Sequence, residues 1–290
     1  MKSKGILFYV NFCAPVPLLP VALRTLSMNY DGDIHVLHSD STPAWFVEQL
    51  EKCPRITNSY HDRSIKRVGK KRMRACALEK VYMFNSSPYD MTLFYDCDHV
   101  FLCKMDMTIF NEIEEHGLVN PVERPNEPIC KQSRILKVAH ELYGRDPDKQ
   151  LGQSMGGCIG LIRGSSVHDE MIKVQEEVMA YPARNMFTEE QPMALVLEKY
   201  GKVLDQKWSW AYKQKKHCPR GDNGLKGMPE DLIGLHFAHK RYAVSRVWRD
   251  NFLKAKEDNV LGLADLWDEY LGCNTHVNDV VNMDEQKILS

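Results

Sequence analysis

Short apolar runs that alternate with helix-patterned stretches are the feature that most narrows the folds open to this chain. Ile6-Leu7-Phe8-Tyr9-Val10, Ile34-His35-Val36-Leu37 and Met91-Thr92-Leu93-Phe94-Tyr95 read as buried strands. A helix rich in Leu and Met is predicted from Leu18 to Tyr30, and another from Thr42-Pro43, an N-cap with proline at the first helical position, to about Cys53. A third, about Arg72 to Asn85, closes at Ser86-Ser87-Pro88. This order implies an α/β fold with a mixed, mostly parallel sheet flanked by helices.

Further along come a connecting region with Pro121, Pro125 and Pro128, a helix near Lys131 to Leu142, and the small-residue run from Gly156 to Ile162. Ser166 with Asp169, and Thr188 with Gln191, carry the spacing of a capping box and each predict a helix start. The last predicted strand is Leu232 to Phe237. No internal repeat or sharp change of composition cuts the chain into separate domains.

At 290 residues and 43% hydrophobic content the chain can bury a sizeable core, which excludes a disulfide miniprotein or a disordered tail. Thirty-eight Lys and Arg balance thirty-nine Asp and Glu, a net charge of −1, so no whole-molecule field draws it onto nucleic acid or an anionic membrane. Nine scattered cysteines without a Cys-x-x-Cys pair argue against a disulfide framework and a structural zinc, and point to a reducing, cytoplasmic setting. The uncharged stretch from Gly5 to Leu23 is interrupted by Asn11, Pro15, Pro17 and Pro20, so it reads as a buried strand and its sequel, with no membrane span.

Asp96-Cys97-Asp98 follows directly on the uncharged strand Met91 to Tyr95. Two carboxylates at the carboxyl end of a buried strand sit where open α/β sheets bind ligands, and hard oxygen donors suit Mg²⁺ or Mn²⁺ shared with a diphosphate. The plainer reading is a polar turn. His236, in Leu235-His236-Phe237-Ala238-His239-Lys240-Arg241, is either a satisfied core histidine or a ligand for the same ion, with Lys240 or Arg241 near enough in sequence to face a phosphate.

Gly156-Gly157 reads as a tight turn, or as backbone left open for a sugar or phosphate. Glu189, Glu190 and Gln191 either complement the positive end of a helix or aim polar groups into a cleft. Lys66, Arg67, Lys70, Lys71, Arg72 and Arg74 form a solvated face, a nucleic-acid patch or a phosphate collar, and the lack of interleaved aromatics weighs against nucleic acid. Trp208, Trp210 and Tyr212 alternate as on one face of a strand or extended loop, as a core stripe or a sugar platform.

Taken in order, Lys80, Asp96-Cys97-Asp98, Gly156-Gly157, Glu190-Gln191 and His236-Phe237 resemble the motifs of GT-A fold glycosyltransferases, most closely the glycogenin and galactosyltransferase-like group, family 8. The lysine sixteen residues before the first aspartate and the lead-in Ser87-Pro88-Tyr89-Asp90 carry the likeness, which spans about residues 5 to 245. It implies a transferase domain, taken as residues 1–245; residues 246–290 match no part of the family and are expected as a C-terminal helical extension packed on the same domain. It further implies that Asp96, Asp98 and His236 ligate Mn²⁺ or Mg²⁺. Asp96 also touches the nucleotide, with Cys97 between the acids, and Tyr9, Val10 and Asn11 lie against the base. Lys80, Gly156, Gly157 and Lys240 contact the donor, and Glu190 and Gln191 face the reacting sugar. Two departures stand out: the family's His-Phe-x-Gly-x-x-Lys ending is replaced by His236-Phe237-Ala238-His239-Lys240-Arg241, and its Asp-Gln pair by Glu190-Gln191.

The expectation is therefore a metal-dependent glycosyltransferase moving a sugar from a nucleotide-diphosphate sugar, a UDP-sugar above all, to a hydroxyl on a glycan, protein or small molecule, with retention of configuration. Its rivals are a sugar-1-phosphate nucleotidyltransferase and a catalytically silent nucleotide-sugar or nucleic-acid binding protein.

Overall fold

The computed structural model describes residues 2–10, 19–40, 42, 44–52, 55–62, 79–128, 140–141, 143–144, 152–180, 190–211 and 228–236. Eleven strands and five helices are assigned among them. The strands are β1 (Lys4–Val10), β2 (Ile34–His38), β3 (Ile56–Tyr60), β4 (Met91–Tyr95), β5 (His99–Phe101), β6 (Leu118–Pro128), β7 (Gly152–Ser154), β8 (Cys158–Ile162), β9 (Lys202–Leu204), β10 (Trp210–Ala211) and β11 (Gly234–His236). The helices are α1 (Leu19–Ser27), α2 (Ala44–Glu51), α3 (Ile109–His116), α4 (Ser166–Ala180) and α5 (Glu190–Tyr200). The fold is α/β, a mostly parallel sheet flanked by helices. Among the described residues no helix is long and apolar enough to cross a membrane.

The chain forms two compact units, each gathered from three stretches of sequence. One comprises Met1–Leu7, His61–Phe94 and Asp106–Gln206, the other Phe8–Tyr60, Tyr95–Met105 and Lys207–Ser290.

In the first unit the strand order is β1-β4-β8-β6-β7, with β9 beside β6. β1 pairs parallel with β4, Lys4 opposite Met91 and Leu7 opposite Phe94. All five residues of β4 are buried, which is why the segment reads as an unbroken apolar run without alternation. Helix α3 buries Ile109, Phe110 and Ile113 and stops at Gly117, whose φ of 74° is the left-handed conformation that glycine adopts most cheaply.

The connecting region expected around Pro121, Pro125 and Pro128 is instead strand β6. It pairs antiparallel with β8 and parallel with β9, and its pairing with β7 shifts register between Val122 and Arg124 and again between Arg124 and Pro128. Proline cannot donate to a ladder, and such irregular stretches are where a strand tolerates it. The α4 start also differs: Ser165, not Ser166, is the cap, its Oγ accepting the His168 N–H at 3.2 Å.

Two buried polar groups organise this unit. His61 is clamped between Glu79, at 2.8 Å from Nε2, and Ser86, at 2.7 Å from Nδ1. Asn120 is fully buried and binds the turn before β8 with its whole amide: Nδ2 donates to the carbonyls of Met155 and Cys158, and Oδ1 accepts the Met155 N–H at 2.9 Å.

In the second unit the order is β3-β2-β1, with β2 and β3 parallel, Ile34 opposite Ile56 and His38 opposite Tyr60. Thr42 does not cap α2 as predicted. Its hydroxyl donates to the Val10 carbonyl at the end of β1 and accepts the Ser39 N–H. His35 is buried on β2 between Thr57 and Ser59, 2.7 and 2.8 Å from its two nitrogens. A separate three-stranded sheet, order β10-β11-β5, completes this unit.

Two outcomes are expected from these buried groups. Asn120→Ala removes three buried hydrogen bonds, one from the Met155 N–H and two to the carbonyls of Met155 and Cys158, and should cost about 3 kcal/mol, read as a lower denaturant midpoint at unchanged slope. Burial, with a smaller contribution from His38, pushes the His35 imidazole from 6.5 down to about 4. The unfolded ring therefore holds more protons than the folded one across that window, so this contribution to stability is complete above pH 6.5 and lost as pH falls towards 4. His35→Gln keeps a polar bridge and removes the titration. Its unfolding midpoint should decline less steeply over that range, and a slope equal to wild type would contradict the assignment.

Candidate functional site

The carboxyl end of β4 delivers Asp96-Cys97-Asp98 into a tight turn that leads at once into β5. β5 is only three residues long and entirely buried. It is held by β11, which runs antiparallel to it with Gly234 opposite Phe101, Leu235 opposite Val100 and His236 opposite His99. That register carries His236, from the far end of the described chain, onto the two aspartates. Its Nε2 lies 3.2 Å from Asp98 Oδ1 and 3.7 Å from Asp96 Oδ2. The imidazole is largely buried, whereas both carboxylates keep about a quarter of their side-chain surface open, 24% for Asp96 and 23% for Asp98.

An aromatic floor fixes this arrangement. The Tyr95 ring packs edge-on against Phe101 and against His99, and its hydroxyl donates to the Trp208 carbonyl at 3.2 Å. β10 pairs parallel with β11, Trp210 opposite Leu235 and Ala211 opposite His236, and the Ile233 N–H donates to the Lys207 carbonyl. Gly234 sits where the layers meet: a Cβ there would lie 2.8 Å from the Trp208 carbonyl oxygen and 3.3 Å from the His99 ring. Backbone comes too close for any side chain.

Asp98, His99 and His236 each present a ligand atom, all within 4.8 Å of one another. Two carboxylates and an imidazole nitrogen are the donor set of a divalent cation that prefers oxygen and accepts one nitrogen. The gathering of two negative charges on one partly open face fits such an ion, whose charge offsets their repulsion. A second cluster, Glu112, Glu115 and His116 on α3, is of a different kind. His116 lies 3.6 and 3.7 Å from the two glutamates, and Lys202 already pairs with Glu112 at 2.5 Å, a network on the rim of a helix.

The other expected residues fall as follows. Tyr9 and Val10 are buried at the end of β1, and the Tyr9 carbonyl accepts from the Cys97 thiol at 3.6 Å. In the first unit Lys80 and Gly156 are brought together: Lys80 Nζ donates to the Gly156 carbonyl at 3.1 Å and lies 5.5 Å from the centre of the Phe94 ring. Gly156 and Gly157 are a buried turn before β8, held by Asn120 on either side. Glu190 is the first residue of α5 and half-buried, with Gln191 next in the same turn. Asn11, Thr188, Glu189, Phe237, Lys240, the basic run from Lys66 to Arg74 and residues 246–290 lie outside the described residues. Of the aromatic stripe, Trp208 ends a 3₁₀ turn and is buried while Trp210 opens β10, so the two do not share one strand face.

Sequence reasoning missed His99 and Ser209. The signal for His99 was present, a third metal-type side chain directly after Asp98.

No protein-family model matches this sequence, and no curated protein matches it either. Solved structures do match in shape. Mouse xyloside xylosyltransferase 1 in its apo form superposes with a TM-score of 0.54 at 13% identity, over 81% of this chain and 97% of that one. The galactosyltransferase LgtC, in complex with donor and acceptor sugar analogues, superposes with a TM-score of 0.61 at 8% identity, over 87% and 94%. The bifunctional glycosyltransferase WbbM gives 0.59 at 10% identity, over 88% of this chain and 49% of that one. This chain has the GT-A fold. At these identities the likeness is one of architecture, and chemistry must be argued from the site.

Because Gly234 lies against the Trp208 carbonyl in the strand that carries His236, Gly234→Ala should displace that carbonyl at an overpacking cost of about 2 kcal/mol. Chemical denaturation would measure it, and a variant as stable as wild type would show that the contact yields.

Proposed function

We propose that the protein is a metal-dependent glycosyltransferase that moves a sugar from a nucleotide-diphosphate sugar, specifically a UDP-sugar, to a hydroxyl acceptor with retention of configuration. The observation that carries this reading is the convergence of His236 on Asp96 and Asp98 at the end of a buried strand in a GT-A fold. Asp96 Oδ2, Asp98 Oδ1 and His236 Nε2 are the atoms that would hold Mn²⁺ or Mg²⁺. When bound, such an ion supplies positive charge to the diphosphate oxygens of the leaving group.

The chain's own residues do the rest. Lys80, already half-buried and hydrogen-bonded to the Gly156 carbonyl, is the cation assigned to the donor, and Gly156 and Gly157, whose backbone has no side chain in the way, are assigned to it as well. Lys240 is assigned the leaving phosphate. Tyr9, Val10 and Asn11 are assigned to the nucleotide base. Glu190 and Gln191 open α5, where a carboxylate and an amide can be held at a helix amino terminus to face the sugar. The acceptor is a glycan, protein or small-molecule hydroxyl. The nine scattered cysteines, without a Cys-x-x-Cys pair, support a reducing setting, the cytoplasm. Residues 1–245 are proposed as the transferase domain and 246–290 as a helical extension on it.

The test is release of nucleotide from a panel of nucleotide sugars with and without Mn²⁺, on wild type and Asp98→Asn. Wild type should turn over at least one donor only when Mn²⁺ is present. Asp98→Asn should lose about 100-fold in rate with its melting temperature unchanged. Equal rates in the two proteins would remove Asp98 from the metal, and no turnover of any donor would remove the transferase.

A further inference from the structure

His99 enters none of the roles assigned so far, yet it is the most constrained side chain at the site. It is almost completely buried and lies directly opposite His236 in the β5–β11 pair. The two rings stack face to face, centroids 4.4 Å apart and planes within 5°. Around the rest of its edge are Tyr95, whose ring centre lies 5.0 Å away at a steep angle, and the space left by the missing side chain of Gly234.

Both nitrogens of His99 are engaged. Nδ1 lies 3.0 Å from the Asp96 carbonyl oxygen, which can only accept, so Nδ1 carries the hydrogen. Nε2 lies 3.0 Å from Ser209 Oγ, and in the neutral ring it accepts from that hydroxyl. A ring held at both ends in this way has no lone pair to spare for a metal ion, although it stands within ligand distance of Asp98 and His236.

The second torsion of a histidine is intrinsically broad, so the direction in which His236 points Nε2 is decided by what its ring lies against. We infer that His99 is a positioning residue: buried against Tyr95, its flat ring fixes the plane of the stacked His236 imidazole and so keeps Nε2 aimed at the Asp96 and Asp98 carboxylates. This inference rests on the metal reading above.

The test is Mn²⁺ binding to the full chain without any nucleotide sugar, by electron paramagnetic resonance of the free ion, with a melting curve of each metal-free variant alongside. His99→Ala should bind Mn²⁺ about 10-fold more weakly than wild type, the loss typical of removing a group that orients a ligand. His99→Phe restores a flat stacking partner and no nitrogen, and should recover affinity to within about threefold of wild type. If Phe binds as weakly as Ala, the nitrogens and not the ring plane matter, and the positioning role is overturned. It is equally overturned if Ala binds like wild type. Should His99→Ala fail to fold, His99→Phe against wild type decides alone: affinity within about threefold supports the inference, and a 10-fold loss ends it. His236→Ala separates the two levels of the argument. If it binds Mn²⁺ as tightly as wild type, the metal site itself is wrong and the inference goes with it, whereas a loss in His236→Ala without one in His99→Ala refutes only the positioning role.

Discussion

The antiparallel pairing of β11 with β5 is the constraint on which the candidate site depends. Three residues on each strand are enough because the register is pinned from several sides: the Leu102 N–H donates to the Ile233 carbonyl just beyond the pair, β10 closes the other edge, and Gly234 admits no side chain that could shift it. A slip of one residue would turn His236 to the opposite face of the sheet and place Leu235 against the aspartates. The chemistry proposed here is therefore as specific as that register.

The charged site is built on an apolar and aromatic base rather than on a polar one. Tyr95, Phe101 and Trp208 are buried beneath it, and the polar atoms that must be buried with them are used to hold one another: the Tyr95 hydroxyl to the Trp208 carbonyl, and the His99 ring to Asp96 and Ser209. Each bond satisfies a group that would otherwise oppose burial, and each also fixes the position of a strand end. The carboxylates alone stay partly open to solvent, which is where a ligand must arrive.

How far the sequence was readable follows from element length. β1, β2 and β4 have five to seven residues and almost unbroken burial, so their apolar runs stood out, and Asp96-Cys97-Asp98 could be placed at a strand end. β5, β9, β10 and β11 have two or three residues, too few for any periodicity to register, and their existence is decided by partners distant in sequence. β11 was legible only because its apolar run precedes a histidine. β6 was hidden by its prolines, which mark irregular pairing as readily as they mark loops. The capping signals at Thr42 and Ser166 were misread because a hydroxyl bonds whichever donor or acceptor the tertiary fold brings near: Val10 took the first, and a neighbouring serine, Ser165, did the work of the second. His99 was visible as a third metal-type side chain directly after Asp98, but its ring contact with His236 is made by a strand distant in sequence, which no local pattern encodes.

The interleaving of the two units has a consequence for how such a chain is made. The unit that holds the aspartates draws on an early stretch, a short middle insert and the last third of the sequence. As the polypeptide emerges, Asp96 and Asp98 are synthesised long before the strand that will bring them their histidine, and a loop of more than a hundred residues must close before β5 gains its neighbour. A product broken off before Gly234 would retain the acidic turn while lacking both the central strand of the β10-β11-β5 sheet and the His236 imidazole, so the pairing of β5 and the completion of the donor set are a single event.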